Sequence, residues 1–325
     1  MVSVIIPAYN SAKFISETLD SVLAQTFQEF EILVINDGSP DTPVLKGALA
    51  RYSDRIHYIE QKNQGPSAAK NTGIRNASGE FLAFLDSDDI WQPDFLAEQL
   101  QFLKEVPSTD MVCSDCSFFG DGELSGNSWQ SLDPMEPPVS LEKLLPTHGG
   151  AFGSFAILRR SIVKRVGFFD EGLRICEDYN YWLRLLYLGG KLLYSNKVLG
   201  KRRRHSGSLT HDAAIVLPHA VRALEKFAAM LDPTSGEAEL VRREIARSRH
   251  QVALREGRRQ LYLGDYEAAR MSFASANSEL PSTKLKLTLL GLQWIPRWTR
   301  WAVIRRDSRL TSRTPTSVAT ERPAR

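Results

Sequence analysis

Asp86-Ser87-Asp88-Asp89 sets three carboxylates within four residues, directly behind the apolar run Phe81-Leu82-Ala83-Phe84-Leu85. Charges of one sign at that spacing repel unless solvent or a cation compensates them, and a cluster placed behind a strand points to a divalent metal. Pro7-Ala8-Tyr9-Asn10 follows another apolar run with a ring, and Asn36-Asp37-Gly38-Ser39 follows a third with an acid. A cap or turn role accounts for Asn10 and Asp37 taken singly; it suits the Asp86–Asp89 cluster poorly, for which exposure to solvent is the alternative. Glu177-Asp178 opens an apolar helix containing Tyr181, Trp182, Leu185 and Leu186. Acids at that place either stabilise the helix dipole or supply a general base.

The elements that position these groups alternate. Val2 to Ile6, closed by Pro7, reads as a buried strand, and Glu31 to Ile35, Ile56 to Glu60 and Phe81 to Leu85 read as three more. Between them the spacing of Ile15, Leu19 and Val22 predicts a helix with Asn10 and Ser11 as its caps, and Val44 to Tyr52 and Ser67 to Asn76 read as two further helices. Alternation of this kind implies right-handed crossovers and a mainly parallel sheet with helices on both faces, an α/β fold. Ligands of such sheets collect at the carboxyl ends of strands, where the Tyr9, Asp37 and Asp86 segments fall.

The motifs Val2-Ser3-Val4-Ile5-Ile6-Pro7-Ala8-Tyr9-Asn10, Asn36-Asp37-Gly38-Ser39-Pro40-Asp41, Asn63-Gln64-Gly65-Pro66-Ser67-Ala68-Ala69-Lys70-Asn71-Thr72-Gly73 and Phe84-Leu85-Asp86-Ser87-Asp88-Asp89 resemble the nucleotide-sugar half of glycosyltransferase family 2. Gly167-Phe168-Phe169-Asp170-Glu171, Glu177-Asp178-Tyr179-Asn180-Tyr181-Trp182-Leu183-Arg184 and Arg204-His205-Ser206-Gly207-Ser208 continue the resemblance through an acceptor half, to about residue 210. It implies a GT-A type, Rossmann-like domain over residues 1–212, with the donor half at 1–110 and the acceptor half with its base at 111–212.

The resemblance also implies roles. Pro7, Ala8, Tyr9 and Asn10 would line the donor, with Tyr9 stacked on the base. Asp37 would accept a hydrogen bond from an imino N–H, which favours uracil or thymine over cytosine and leaves guanine open. Asp86 falls near the ribose, Asp88 on Mg²⁺ or Mn²⁺, and His205 on the metal or the diphosphate. Arg204 and Glu177 count among the substrate contacts, and Asp178 is the base. Lys70 stands where the family more often has Arg, so a point charge replaces a bidentate fork at the diphosphate. Asn36 stands where the family often has a second Asp.

Hydrophobic residues at 42% and charged residues at 24% are globular values that exclude collagen-like and wholly disordered chains, and a net charge of +3 gives no case for nucleic acid. Three cysteines are too few for a disulfide framework and indicate a reducing compartment; Cys113 and Cys116 form a CxxC without a second pair and read as small buried side chains. No basic, apolar leader opens the chain, so the expected location is cytoplasmic. The charge is uneven: Lys284 to Arg325 holds ten basic and two acidic residues, net +8, which leaves the first 283 residues at −5.

Residues 213–283 read as a helical appendage in which Gly257 to Pro281 resembles a single tetratricopeptide-type helix pair. From 284 to 306, Trp294, Trp298 and Trp301 share a face if one helix tolerates Pro296 or a second begins there. Tryptophan beside arginine suits the headgroup zone of an anionic membrane, and a helix docked on the protein body is the other reading. Residues 307–325 are expected to be a disordered basic tail.

These readings converge on an inverting, metal-dependent hexosyltransferase. It takes a UDP- or dTDP-sugar and extends a glycan, on a lipid-linked carrier at the inner face of the cytoplasmic membrane, in cell-surface polysaccharide or lipopolysaccharide synthesis. A sugar-phosphate nucleotidyltransferase, which would release pyrophosphate, and a non-catalytic nucleotide-sugar-binding scaffold are the alternatives.

Overall fold

A computed structural model describes residues 1–121, 124–148, 153–208 and 213–311, with side chains described as far as Arg305 and that of Ala213 excepted. Of the tail expected to be disordered from 307 onward, residues 307–311 instead continue the last helix, and 312–325 lie outside the described residues. The chain divides into two compact units, Met1–Asp232 and Pro233–Arg325.

In the first unit, β1 (Val2–Ala8), α1 (Ile15–Leu23), β2 (Phe30–Asp37), α2 (Thr42–Leu49), β3 (His57–Gln61), α3 (Pro66–Asn76) and β4 (Phe81–Phe84) follow the predicted alternation. Next come β5 (Ile90–Trp91), α4 (Phe95–Glu105), β6 (Met111–Gly120) and the one-turn helices α5 (Trp129–Leu132) and α6 (Leu141–Leu144). After them lie β7 (Ala156–Arg159), the one-turn α7 (Val163–Val166), α8 (Glu177–Tyr187), β8 (Leu192–Arg204) and α9 (Ala213–Ala228). The eight strands form one sheet in the order β3-β2-β1-β4-β7-β6-β8-β5. Strands β3, β2, β1 and β4 are parallel, as expected; β7 runs antiparallel to both its neighbours, and β5 is antiparallel to β8.

Register fixes where the chemistry falls. Ala8 pairs with Asn36 and Asp37 with Gln61, while Ile5 pairs with Phe84, so the segments after β1, β2 and β4 emerge at one edge of the sheet. Val2, Val4 and Ile6 of β1, Ile32 and Val34 of β2, and Ile15, Leu19 and Val22 of α1 share one buried core. A Cβ on Gly73 of α3 would lie 2.3 Å from Ile5 Cγ2, so glycine is what lets this helix sit down on β1. The expected cap of α1 does not form. Phe14 holds the N-cap position without a side-chain bond, because Asn10 turns away with φ 52° and its N–H donates to Ser39 Oγ at 2.6 Å.

Cys113 and Cys116 are buried in β6, where burial pushes both thiols well up, in keeping with a packing role. Helix α9, assigned by sequence to the appendage, belongs to the first unit: Asn180 Nδ2 donates to Ala223 O at 3.0 Å and Lys226 pairs with Asp170 at 2.7 Å.

The second unit consists of α10 (Gly236–Leu263), α11 (Tyr266–Glu279), α12 (Thr283–Trp294) and α13 (Pro296–Thr311). Ser235, Asp265 and Ser282 cap the first three, accepting from Ala238 N, Ala268 N and Leu285 N. Leu261, Ala269, Phe273, Ala276, Leu285 and Leu292 form its core. Pro296 starts α13 rather than kinking a continuous helix, the second of the two geometries the sequence allows.

Candidate active site

The donor-side rim is built from loops that clasp one another. Asn10 N–H donates to Ser39 Oγ, the Ser39 hydroxyl to Asp41, and Ala12 N–H to Asp41 Oδ2 at 2.8 Å, so the segments behind β1 and β2 are tied together. Tyr9 stands 54% exposed at the rim, free to stack on a flat ligand, and Pro7 and Ala8 lie just beneath it at the end of β1. Asp37 is buried, and its carboxylate already serves its own chain: Oδ1 accepts from Gln61 Nε2 (2.8 Å) and Gln64 N (2.9 Å), and Oδ2 from Gly65 N (2.7 Å). Asn36 gives its two amide protons to Thr42 Oγ1 and Tyr58 Oη, a role that asks for an amide where the family often has Asp.

The acidic segment behind β4 is held from three sides. The Thr18 hydroxyl lies 3.0 and 2.9 Å from the carbonyl oxygens of Ser87 and Asp89, and Ser154 Oγ receives the Asp86 N–H at 3.1 Å. From β8, Arg203 N–H donates to Asp89 Oδ1 (2.8 Å) and its Nε to Asp88 O (2.9 Å), while its guanidinium lies between the rings of Phe14 and Phe119. Asp89 thus points inward as part of the framework. Asp88 faces His205, with Oδ2 to Nε2 at 2.9 Å, and the His205 ring packs on Phe14. Burial and then the neighbouring Asp86 push the Asp88 carboxyl above the usual carboxylate range, against the opposing pull of His205 and Arg202. Arg204 is half-buried at the end of β8, where its carbonyl accepts from Asp121 N at 2.8 Å.

Helix α3 reaches across to α8 and the segment before it through one face. Ser67, Lys70 and Asn71 are spaced i, i+3, i+4 and all are buried. Ser67 Oγ donates to Leu173 O at 2.7 Å; Asn71 Nδ2 donates to Phe169 O and Glu171 Oε1, and its Oδ1 accepts from Phe169 N, each at 2.9 Å. Lys70 Nζ bonds Glu177 Oε1 at 2.9 Å and Asp178 Oδ1 at 2.6 Å. Of this triad the Lys70 and Glu177 side chains are 2% and 9% exposed, whereas Asp178 keeps 21%, so Asp178 is the member open to a substrate. A Cβ at Gly153 would lie 2.4 Å from Asp178 Oδ2; glycine leaves that oxygen its space.

The triad's charges follow from its burial. Burial alone would strip the Lys70 proton, but Asp178, Glu177 and Asp86 around it hold the ammonium well above the ordinary lysine range. Both acids are pushed up, first by burial; Lys70 pulls each down, while Asp178 raises Glu177 and Asp86 raises Asp178.

Residues 3–167, half of the chain, match the family model described as Glycosyl transferase family 2. The chain belongs to glycosyltransferase family 2. An uncharacterised glycosyltransferase of Rickettsia typhi is 32% identical over 222 residues, 66% of this family 2 chain and 67% of that protein. Another, from Rickettsia felis, is 32% identical over 213 residues, but the match covers 34% of its length, so this chain spans about a third of that relative. Among solved structures, Staphylococcus aureus TarS 1-349 in complex with UDP-GlcNAc superposes with a TM-score of 0.61 at 21% identity, over 98% of this chain and 94% of that one. Mannosyltransferase PcManGT from Pyrobaculum calidifontis, in complex with GDP-Man and Mn2+, gives 0.61 at 18% identity over 97% and 81%. At these identities the likeness is one of fold, and the fold is GT-A.

The geometry brings Asp86, Asp88 and His205 together at one end of this family 2 domain, and joins Lys70, Glu177 and Asp178 across α3 and α8. No group of three or more metal-ligating side chains occurs among the described residues. The Asp88–His205 pair still fits a divalent ion of the kind that takes one or two protein ligands and completes its shell with substrate phosphate and water. His205 Nδ1 accepts from Gly207 N at 3.1 Å, which leaves the proton on Nε2 toward Asp88; a metal would take that proton's place. Motif reading missed Thr18, Ser154 and Arg203, and it missed Ser67 and Asn71 as cross-links. The polar stripe at 67, 70 and 71 on a helix between buried strands was the available signal. Replacing Asn71 with Ala leaves the buried N–H and C=O of Phe169 unpaired, and we expect a loss of about 2–4 kcal/mol in urea unfolding.

Proposed function

We propose that this glycosyltransferase moves a hexose-type sugar from a UDP- or dTDP-sugar to a glycan acceptor with inversion, Asp178 serving as general base. The observation that carries the reading is the partly open Asp178 carboxylate, fixed by Lys70 opposite the Asp86–Asp88 segment. Tyr9 stacks on the base at the rim. Asp37, whose Oδ2 accepts one bond among the described residues, from Gly65 N, receives the imino N–H. Pro7, Ala8 and Asn10 line the nucleotide, Asp86 faces the ribose, and Arg204 faces the diphosphate. Asp178 takes the acceptor hydroxyl proton as that oxygen attacks the anomeric carbon, and the bond from that carbon to the diphosphate oxygen breaks as the new one forms. A single displacement with one base needs no covalent enzyme intermediate and inverts the anomeric centre.

Asp88 and His205 would hold Mg²⁺ or Mn²⁺, which when bound supplies positive charge for the departing diphosphate. The UDP-GlcNAc carried by TarS and the GDP-Man and Mn2+ carried by PcManGT support a nucleotide-sugar donor and a divalent ion. Thermal-shift titration with UDP, dTDP and GDP, each with and without Mn²⁺, tests the donor. The expected result is a metal-dependent rise for UDP or dTDP, lost in Asp88→Ala and kept in Asp178→Asn, while Asp178→Asn slows transfer by about 10²–10⁴-fold. No metal-dependent response to any diphosphate, or full transfer by Asp178→Asn, overturns the assignment.

The acceptor in this reading is a lipid-linked glycan of cell-surface polysaccharide or lipopolysaccharide synthesis, met at the inner face of the cytoplasmic membrane. Support comes from the second unit, where Trp294, Ile295, Trp298 and Trp301 are each more than half exposed beside Arg297, Arg300 and Arg305. The Arg305 guanidinium lies 4.8 Å above the Trp301 ring. No helix among the described residues is long and apolar enough to cross a membrane; the contact we propose is a peripheral one. Rings enter the headgroup zone while the arginines meet anionic lipid. Flotation with phosphatidylserine-containing vesicles should recover the protein at low salt and lose it at high salt. Trp298→Ser with Trp301→Ser should weaken recovery about tenfold or more; unchanged flotation of that variant contradicts the surface.

A further inference from the structure

Lys70 occupies the place at which the family resemblance implies a diphosphate contact, yet its ammonium is turned elsewhere. It is 1% exposed, and two of its three N–H donors go to Glu177 Oε1 and Asp178 Oδ1 at 2.9 and 2.6 Å. The stem carrying it is fixed as well, because Ser67 and Asn71 on the same helix face are bonded to Leu173, Phe169 and Glu171. Reaching a diphosphate would leave two buried carboxylates side by side without a cation.

We infer that Lys70 is a positioning residue for the base: it pins Asp178 beside Glu177 and keeps the carboxylate ionised to accept the acceptor's proton, and it does not bind the diphosphate. The inference rests on Asp178 being the base. Asp178 faces Lys70 from α3, Asp86 from the segment behind β4, Arg202 from β8, the buried Cys113 thiol from β6, and its own neighbours Cys176 and Glu177. Of the two cations, Arg202 also acts on Asp88, Asp89 and Cys116, and Lys70 is the one bonded to Asp178 among the described residues. Without Lys70, burial and Asp86 drive the carboxyl toward its protonated form, which cannot act as a base. Glu177 has the opposite effect, since it competes for the same ammonium.

The test is the pH dependence of kcat/KM, with the dissociation constant of the donor diphosphate measured in parallel, for the full chain and for Lys70→Met, Glu177→Gln and Asp178→Asn. In Lys70→Met the acid limb should move up by at least about one pH unit, so that activity on that limb falls about tenfold and recovers toward alkaline pH, with donor affinity unchanged within about threefold. In Glu177→Gln the ammonium serves Asp178 alone, so the limb should move down; this variant decides the matter if Lys70→Met does not fold. An unmoved limb in both, or a tenfold weaker donor in Lys70→Met with an unmoved limb, overturns the inference. Asp178→Asn separates the two failures. If it is inactive at every pH while the limbs stay put, only the role of Lys70 falls; if it is active, the base assignment falls first.

Discussion

An ammonium buried between two carboxylates is costly unless every partner is held, and in this chain the Lys70 clasp imposes that condition on the whole domain. Lys70 sits on α3 in the parallel half of the domain, while Glu177 and Asp178 open α8 in the other half. Neither set of charges is tolerable alone at this burial. The halves must therefore meet with the register that Ser67, Lys70 and Asn71 dictate, and removing one partner of such a group usually costs about 3–5 kcal/mol. The close seating of α3 on β1 at Gly73 carries that register back into the sheet.

The acidic segment behind β4 obeys the same logic with a different solution. Asp89 spends its charge inward on the β8 backbone, Asp88 is matched by His205, and Asp86 is left to act on both Asp88 and the Lys70 triad. Burial and neighbouring carboxylates raise Asp88 and Asp89, the kind of perturbation that in the proposed reading suits a cation at Asp88. The arginine bonded to it, Arg203, packs on the rings of Phe14 and Phe119, which ties the acidic segment to the start of α1 and to β6.

Much of this was legible in the sequence. Apolar runs ending at Pro7, Ile35 and Leu85 located the strands, the parallel donor half followed from their alternation with helices, and strand-end reasoning put Tyr9, Asp37 and Asp86 at one rim. Partner choice was less legible. Asp37 offers the acceptor that a base N–H wants and Lys70 the cation that a diphosphate wants, but their first partners belong to the chain itself, a result of three-dimensional proximity over 24 to 108 residues of separation. The cap of α1 was misread for a related reason, since Asn10 is drawn into a tertiary bond with Ser39 that outcompetes the local one. The extent of the first unit was likewise set by tertiary contacts of α9, which helical patterning cannot reveal.

In the proposed reading Asp178, the most exposed member of the α3–α8 clasp, is the base of a single displacement. The most direct check is the anomeric configuration of the product, followed by proton NMR from the first turnovers with the donor that the binding screen selects. The account predicts a glycosidic linkage of configuration opposite to that of the donor sugar. A linkage that keeps the donor's configuration would require a second nucleophile or a front-face path, and would contradict the assignment of Asp178 as the lone base.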